Sequence, residues 1–157
     1  MATAMDLLPT IARLADTTCA NNLDGIDIGP VLSGQVDNIA HDVFLYFDSW
    51  DIQCARYGPW KLHISRNNTF PWSPVPAGGA YNLRLPQPEL YNVDTDPDES
   101  YDTAPLHPDV VGDITARVQS KLPTFPPEAM NAWNTTMSYP TQSTAIDALP
   151  ALATDQQ

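Results

Sequence analysis

Asp94, Asp96 and Asp98 alternate along one acidic turn, the spacing with which carboxylates converge on a hard cation such as calcium. The rest of such a loop is missing. Glu99 stands where the sharp turn requires glycine, and Pro105 where the final bidentate glutamate belongs. The turn reads as a solvated acidic loop, and no metal site is assigned. His41, His63 and His107 are far apart, and none pairs with Cys or His at ligand spacing. A serine nucleophile needs a base and an oxyanion-forming turn; neither a nucleophile elbow nor a phosphate-cradling glycine loop is found, so no catalytic residue is assigned. Cys19 and Cys54 rule out a disulfide framework and leave one bridge open, with two buried thiols as the simpler reading. Asn67-Asn68-Thr69 and Asn134-Thr135-Thr136 match the glycosylation pattern, as chance provides in an Asn- and Thr-rich chain.

Tyr46, Phe47, Trp50, Tyr57, Trp60, Trp72 and Tyr81 offer flat rings that stack on sugars or aryl groups, although core packing accounts for most of them. Trp50 lies beside Asp48 and Asp51 in a turn, and Trp72 in a proline-rich loop. Loops carry contacts more often than core elements do. Asp48, Trp50 and Trp72 are therefore the candidate rim of a binding site.

The elements that must position these residues follow from periodicity. Leu7, Ile11 and Leu14 recur at helical spacing after Asp6 as a cap, with Pro9 in the first turn, which predicts a short amphipathic helix whose apolar face needs a partner surface. Residues 21–34 read as an ordered connector. Asp42 to Asp48, Ile52 to Tyr57 and Trp60 to Ser65 are rich in β-branched and aromatic residues, and Gly58-Pro59 turns the last two into a hairpin. The proline-rich stretch from Arg66 to Pro88 reads as an insertion loop, followed by a fourth strand at Glu89 to Val93. Val110, Val111, Ile114, Val118 and Leu122 predict a helix opened by Pro108 and stopped by Pro123. A short helix is expected over Glu128 to Trp133, and a polar, frayed tail from Asn134 to Gln157.

The chain has 157 residues, 43% hydrophobic and 17% charged, enough for one modest core without staples. Its net charge of −12 repels phosphate backbones and anionic lipid surfaces, so nucleic acid is not an expected partner. No run is long and apolar enough for a membrane span, and residues 1–6 lack the features of a secretory leader, which leaves localisation open.

Several segments in order carry a resemblance: Asp6-Leu7-Leu8-Pro9-Thr10, Leu23-Asp24-Gly25-Ile26-Asp27, Pro30-Val31-Leu32-Ser33-Gly34, His41 with Phe44-Leu45-Tyr46-Phe47, and Ala55-Arg56-Tyr57-Gly58-Pro59-Trp60-Lys61-Leu62-His63. Glu89-Leu90-Tyr91-Asn92-Val93, Asp96-Pro97-Asp98-Glu99 and His107-Pro108 complete the series. Over about residues 5–122 the chain resembles the C-terminal region of formylglycine-dependent sulfatases.

The resemblance implies an α+β subdomain: a small four-stranded antiparallel sheet with a C-terminal helix packed on one face, preceded by a short helix. Residues 1–20 would end the catalytic-domain region, 21–125 form the C-terminal subdomain, and 126–157 form a short helix and flexible tail. The family's calcium ion and formylglycine would belong to a catalytic half outside this chain. Neither Cys19 nor Cys54 has the proline and arginine of the modification motif, and Lys61 matches the C-terminal hairpin rather than a catalytic lysine. The implied partner is a sulfatase catalytic domain, with the sulfate-ester substrate met only in the complete enzyme. The implied role is packing and a contribution of Asp48, Trp50 and Trp72 to the substrate rim; the alternative is a binding module docking through its first helix.

Overall fold

The computed structural model describes residues 2–19, 23–39, 41–68, 74, 79 and 82–138. Trp72, Tyr81 and the tail from residue 139 onward lie outside them. The chain divides into two compact units, Met1–Asp42 and Val43–Gln157.

The first unit is organised by a polar hub. A 3₁₀ turn at Ala4–Asp6 runs into helix α1 (Leu7–Leu14). Asp6 stands at the N-cap of α1 as expected but makes no side-chain bond to that helix; its carboxylate closes the preceding turn, where the Thr3 N–H and hydroxyl both donate to Asp6 Oδ2, at 2.6 and 3.1 Å. The fully buried Asp6 carboxylate also accepts the Ile26 N–H at 2.9 Å and lies 3.0 Å from His41 Nε2. One turn on, the Thr10 hydroxyl donates to the Asp6 carbonyl at 2.6 Å and accepts the Ile28 N–H at 3.0 Å. These bonds draw the connector, with its four-residue helix α2 (Gly29–Leu32), back onto α1. Thr10 and Ala12 are the buried residues of α1, while Leu7, Ile11 and Leu14 face outward, 55 to 76% exposed.

The second unit holds the sheet. Strands β1 (Phe44–Asp48), β2 (Asp51–Tyr57), β3 (Trp60–Asn67) and β4 (Asn82–Asn92) follow one another in the order β1-β2-β3-β4, each pair antiparallel. Alternation along the strands separates two faces. Leu45, Ala55, Leu62 and Leu90 lie in register across one face, all buried. Between Tyr46 and Phe47 the register shifts, because β2 carries one extra residue, Gln53, and the shift brings Ile52 into the same core.

Helix α3 (Pro108–Lys121) adds Ile114 and Val118 to this core, and helix α4 (Pro127–Ser138) adds Trp133. Fully burying a side chain such as Leu62 or Ile114 contributes about 1.5–3 kcal/mol. The α+β class with a helix on the sheet follows as expected, with two differences. First, α4 continues past Trp133 to Ser138, because its turns are fixed to the sheet rather than frayed: Asn82 Nδ2 donates to Thr136 Oγ1 at 3.3 Å and Arg84 Nη1 to the Met137 carbonyl at 3.3 Å. Second, β4 begins at Asn82, inside the stretch read as an insertion loop. Pro86 and Pro88 are accommodated because β4 is an edge strand and bulges there: it takes the interval Arg84 to Glu89 to match Ser65 to His63.

Candidate functional site

The turn joining β1 to β2 brings two of the three expected rim residues together. Ser49 adopts φ 56°, a left-handed conformation that reverses the chain, and Trp50 beside it is 50% exposed. Asp48 and Asp51 are cross-strand neighbours at this tip. Asn67 Nδ2 donates to Asp48 Oδ2 at 2.7 Å, which fixes that carboxylate from the end of β3. Burial, then the adjacent charge of Asp48, pushes the Asp51 carboxyl above its ordinary value against a hydrogen bond from Thr136. The tip thus presents one indole face and two carboxylates, suited to stacking on a ring and accepting hydroxyl hydrogen bonds. Trp72 lies outside the described residues.

A second constellation, missed by the sequence reading, occupies the sheet face opposite the core. Tyr46, Cys54, His63 and Glu89 form one row across it, and Phe44, Arg56, Lys61 and Tyr91 the next. The acidic turn folds onto this face. Lys61 Nζ donates to Glu99 Oε1 at 2.6 Å, and His63 Nε2 lies 2.6 Å from Glu99 Oε2. Glu99 itself has φ 53°. Arg66 pairs with Glu89, which also accepts the Tyr91 hydroxyl at 2.9 Å. Two further carboxylates of the turn are engaged: Asp94 pairs with Arg56 at 3.5 Å, and Asp96 accepts the N–H groups of Ser100 and Tyr101, each at 2.9 Å. The turn is solvated as expected, with Asp94 and Asp98 exposed, but Glu99 also anchors it to the sheet. The signal available in the sequence was Lys61 and His63 two residues apart on one strand, hence on one face; their partner was out of reach because it is 36 residues from His63.

Burial pushes the Cys54 thiol up to about 11, so it is a protonated, inert group at neutral pH. Burial would raise the Glu99 carboxyl, but hydrogen bonds from Lys61 and His63 outweigh it and hold the group below its ordinary value. His63 is lowered, because burial dominates the attraction of Glu99. Both shifts have the same sign for stability. The unfolded chain takes up a proton on His63 near its ordinary value of 6.5, before the folded protein does, and protonation of Glu99 costs its two hydrogen bonds. The urea midpoint of the second unit should therefore fall as pH drops below about 6.5, and fall again as Glu99 titrates. His63→Gln should remove the first decline and leave the second; a variant that retains both would show that His63 is not its source.

Among the described residues, no group of three His, Cys, Asp or Glu side chains converges where a metal ion could be held. No helix of the described residues is long and apolar enough to cross a membrane.

Residues 39–150 match the family model for the C-terminal region of aryl-sulfatase. The chain is 32% identical to arylsulfatase A of Bos taurus over 111 residues and 31% identical to arylsulfatase A of Homo sapiens over the same length. Each alignment covers 64% of this chain and 22% of the relative, so the chain spans about a fifth of the length of these curated proteins. Among solved structures, the crystal structure of Ps i-CgsB superposes with a TM-score of 0.51 at 20% identity, covering 96% of this chain and 30% of that one; the likeness is one of fold.

Proposed function

We propose, because this chain belongs to the family of aryl-sulfatase C-terminal regions, that it acts as the packing and rim-forming subdomain of a sulfuric ester hydrolase and supplies no nucleophile of its own. The observation that carries the reading is chemical: the reactive side-chain types on the sheet face opposite the core are committed to one another. Lys61, His63 and Glu99 form one closed set and Arg66, Glu89 and Tyr91 another. Cys54 is buried with its thiol protonated, and Ala55-Arg56-Tyr57 follows it. These residues do not fit a formylglycine or a calcium site. Sulfuryl transfer needs an activated nucleophile and a cation that stabilises the negative charge developing on the sulfuryl group and the leaving oxygen, which in this reading come from a catalytic domain.

Two surfaces serve that partnership. The outward face of α1, Leu7, Ile11 and Leu14, is the apolar area a catalytic domain covers. The hairpin tip, with Asp48 and Trp50, borders the substrate, and the resemblance assigns Trp72 to the same rim. The test is sulfate release from an aryl sulfate, measured for the chain alone and for the chain coexpressed with a sulfatase catalytic domain. The chain alone should show no turnover above a mock-purified control. In the assembled enzyme Trp50→Ala should raise KM several-fold with kcat little changed, the pattern of a lost binding contact. Turnover by the isolated chain would overturn the non-catalytic assignment, and an unchanged KM would remove Trp50 from the rim.

A further inference from the structure

The two edges of the sheet are not equivalent. On β4 the prolines Pro86 and Pro88 remove N–H donors and the bulge breaks the repeat, two devices that close an edge to further pairing. The other edge has neither. β1 reads Phe44-Leu45-Tyr46-Phe47-Asp48, with high strand propensity and no proline, glycine, lysine or arginine. The irregularity beside it belongs to β2, so β1 itself keeps a regular pleat. Among the described residues its outward N–H and C=O groups have no backbone partner.

We propose that this edge pairs with the same edge of a second copy, antiparallel about a two-fold axis, joining two four-stranded sheets into one of eight strands. The occupant follows from self-complementarity. Only a register centred on Tyr46 aligns all five residues of both strands. It sets Leu45 opposite Phe47 on the core face, Tyr46 opposite Tyr46 on the other, and Phe44 opposite Asp48. No like charges are opposed, and the contact is isologous, so it closes at two copies. Because the prolines obstruct β4, a β1-to-β4 arrangement that would grow into a filament is disfavoured. Each copy carries a net charge of −12, so the pairing works against overall repulsion and tightens as salt is added.

This inference is independent of the catalytic partnership and is tested on the chain alone. Sedimentation velocity across a dilution series should show a monomer–dimer equilibrium that shifts toward dimer with added sodium chloride. Tyr46→Lys and Tyr46→Glu each place like charges opposite one another across the axis and should each be monomeric; mixed in equal amounts they should form a heterodimer. Leu14→Asp, on the exposed face of α1, should leave the dimer intact. Hydrogen exchange on the unsubstituted protein provides a readout that needs no variant: amides of Phe44–Asp48 should gain protection as concentration rises. A chain monomeric under all these conditions overturns the proposal. So does a dimer that survives both Tyr46 substitutions, fails to re-form on mixing two folded variants, or is lost in Leu14→Asp.

Discussion

Gly25→Ala should unfold the first unit while leaving the second folded. A Cβ at this position would stand 2.0 Å from the Met5 carbonyl oxygen and 2.4 Å from its carbon, both backbone atoms that no side-chain rotation can move. The connector would have to lift away from the segment Met5-Asp6. That displacement separates Ile26 N–H from Asp6 Oδ1 and opens the hub in which a fully buried carboxylate is held by Thr3, Ile26 and His41. Burial pushes the Asp6 carboxyl up, and these hydrogen bonds more than reverse it, so losing them leaves a buried charge without compensation. Breaking such a set costs about 3–5 kcal/mol, more than a unit with few buried apolar residues retains. Residue-resolved hydrogen exchange is the measurement. Amides from Thr3 to Ser33 should exchange freely in the variant, with those of β2 and β3 unchanged. Native protection around Ile26 and Ile28 would mean that the close approach does not organise this unit.

Leu62→Ala should produce the largest loss in the second unit. Leu62 has no exposed surface, lies in register between Ala55 and Leu90, and belongs to the same core cluster as Ile114 and Val118. Ala55 is too small to fill the space left, so the site cannot collapse. Removing a buried leucine side chain costs about 2–5 kcal/mol, a large part of the roughly 5–15 kcal/mol that holds a domain together. The guanidinium midpoint should fall with an unchanged denaturant slope. Tyr101→Ala, at a position 75% exposed, should shift stability by no more than about 0.5 kcal/mol. A Leu62→Ala variant as stable as Tyr101→Ala would contradict the placement of the core.

The legible parts of the fold were those fixed by local pattern. The β-branched and aromatic enrichment of Asp42–Asp48, Ile52–Tyr57 and Trp60–Ser65, the Gly58-Pro59 turn and the spacing of Ile114 and Val118 appear directly in the sequence, and three strands and the long helix follow from them. What stayed hidden was set by distant partners. The first part of strand β4, Asn82 to Pro88, read as a loop because Pro86 and Pro88 speak against a strand, and only its edge position and bulge make them acceptable, whereas its end from Glu89 onward read as a strand. Asn134 to Ser138 read as a tail because its polarity gave no hint that Thr136 would bond to Asn82. The Glu99 anchor was unreadable for the same reason. The hairpin tip was found because Trp50 in an acidic turn is conspicuous, whereas Lys61 and His63 resemble any charged pair on a strand until Glu99 is placed.

The polar hub of the first unit and the apolar core of the second imply different responses to temperature. Exposing apolar surface gives unfolding a large positive heat capacity change, and exposing polar groups reduces it. The second unit should therefore show a strongly curved stability profile that weakens on cooling, as hydrophobic driving force fades. The first, centred on Asp6 and Thr10, should show a nearly straight one, holding in the cold and giving way steadily on heating.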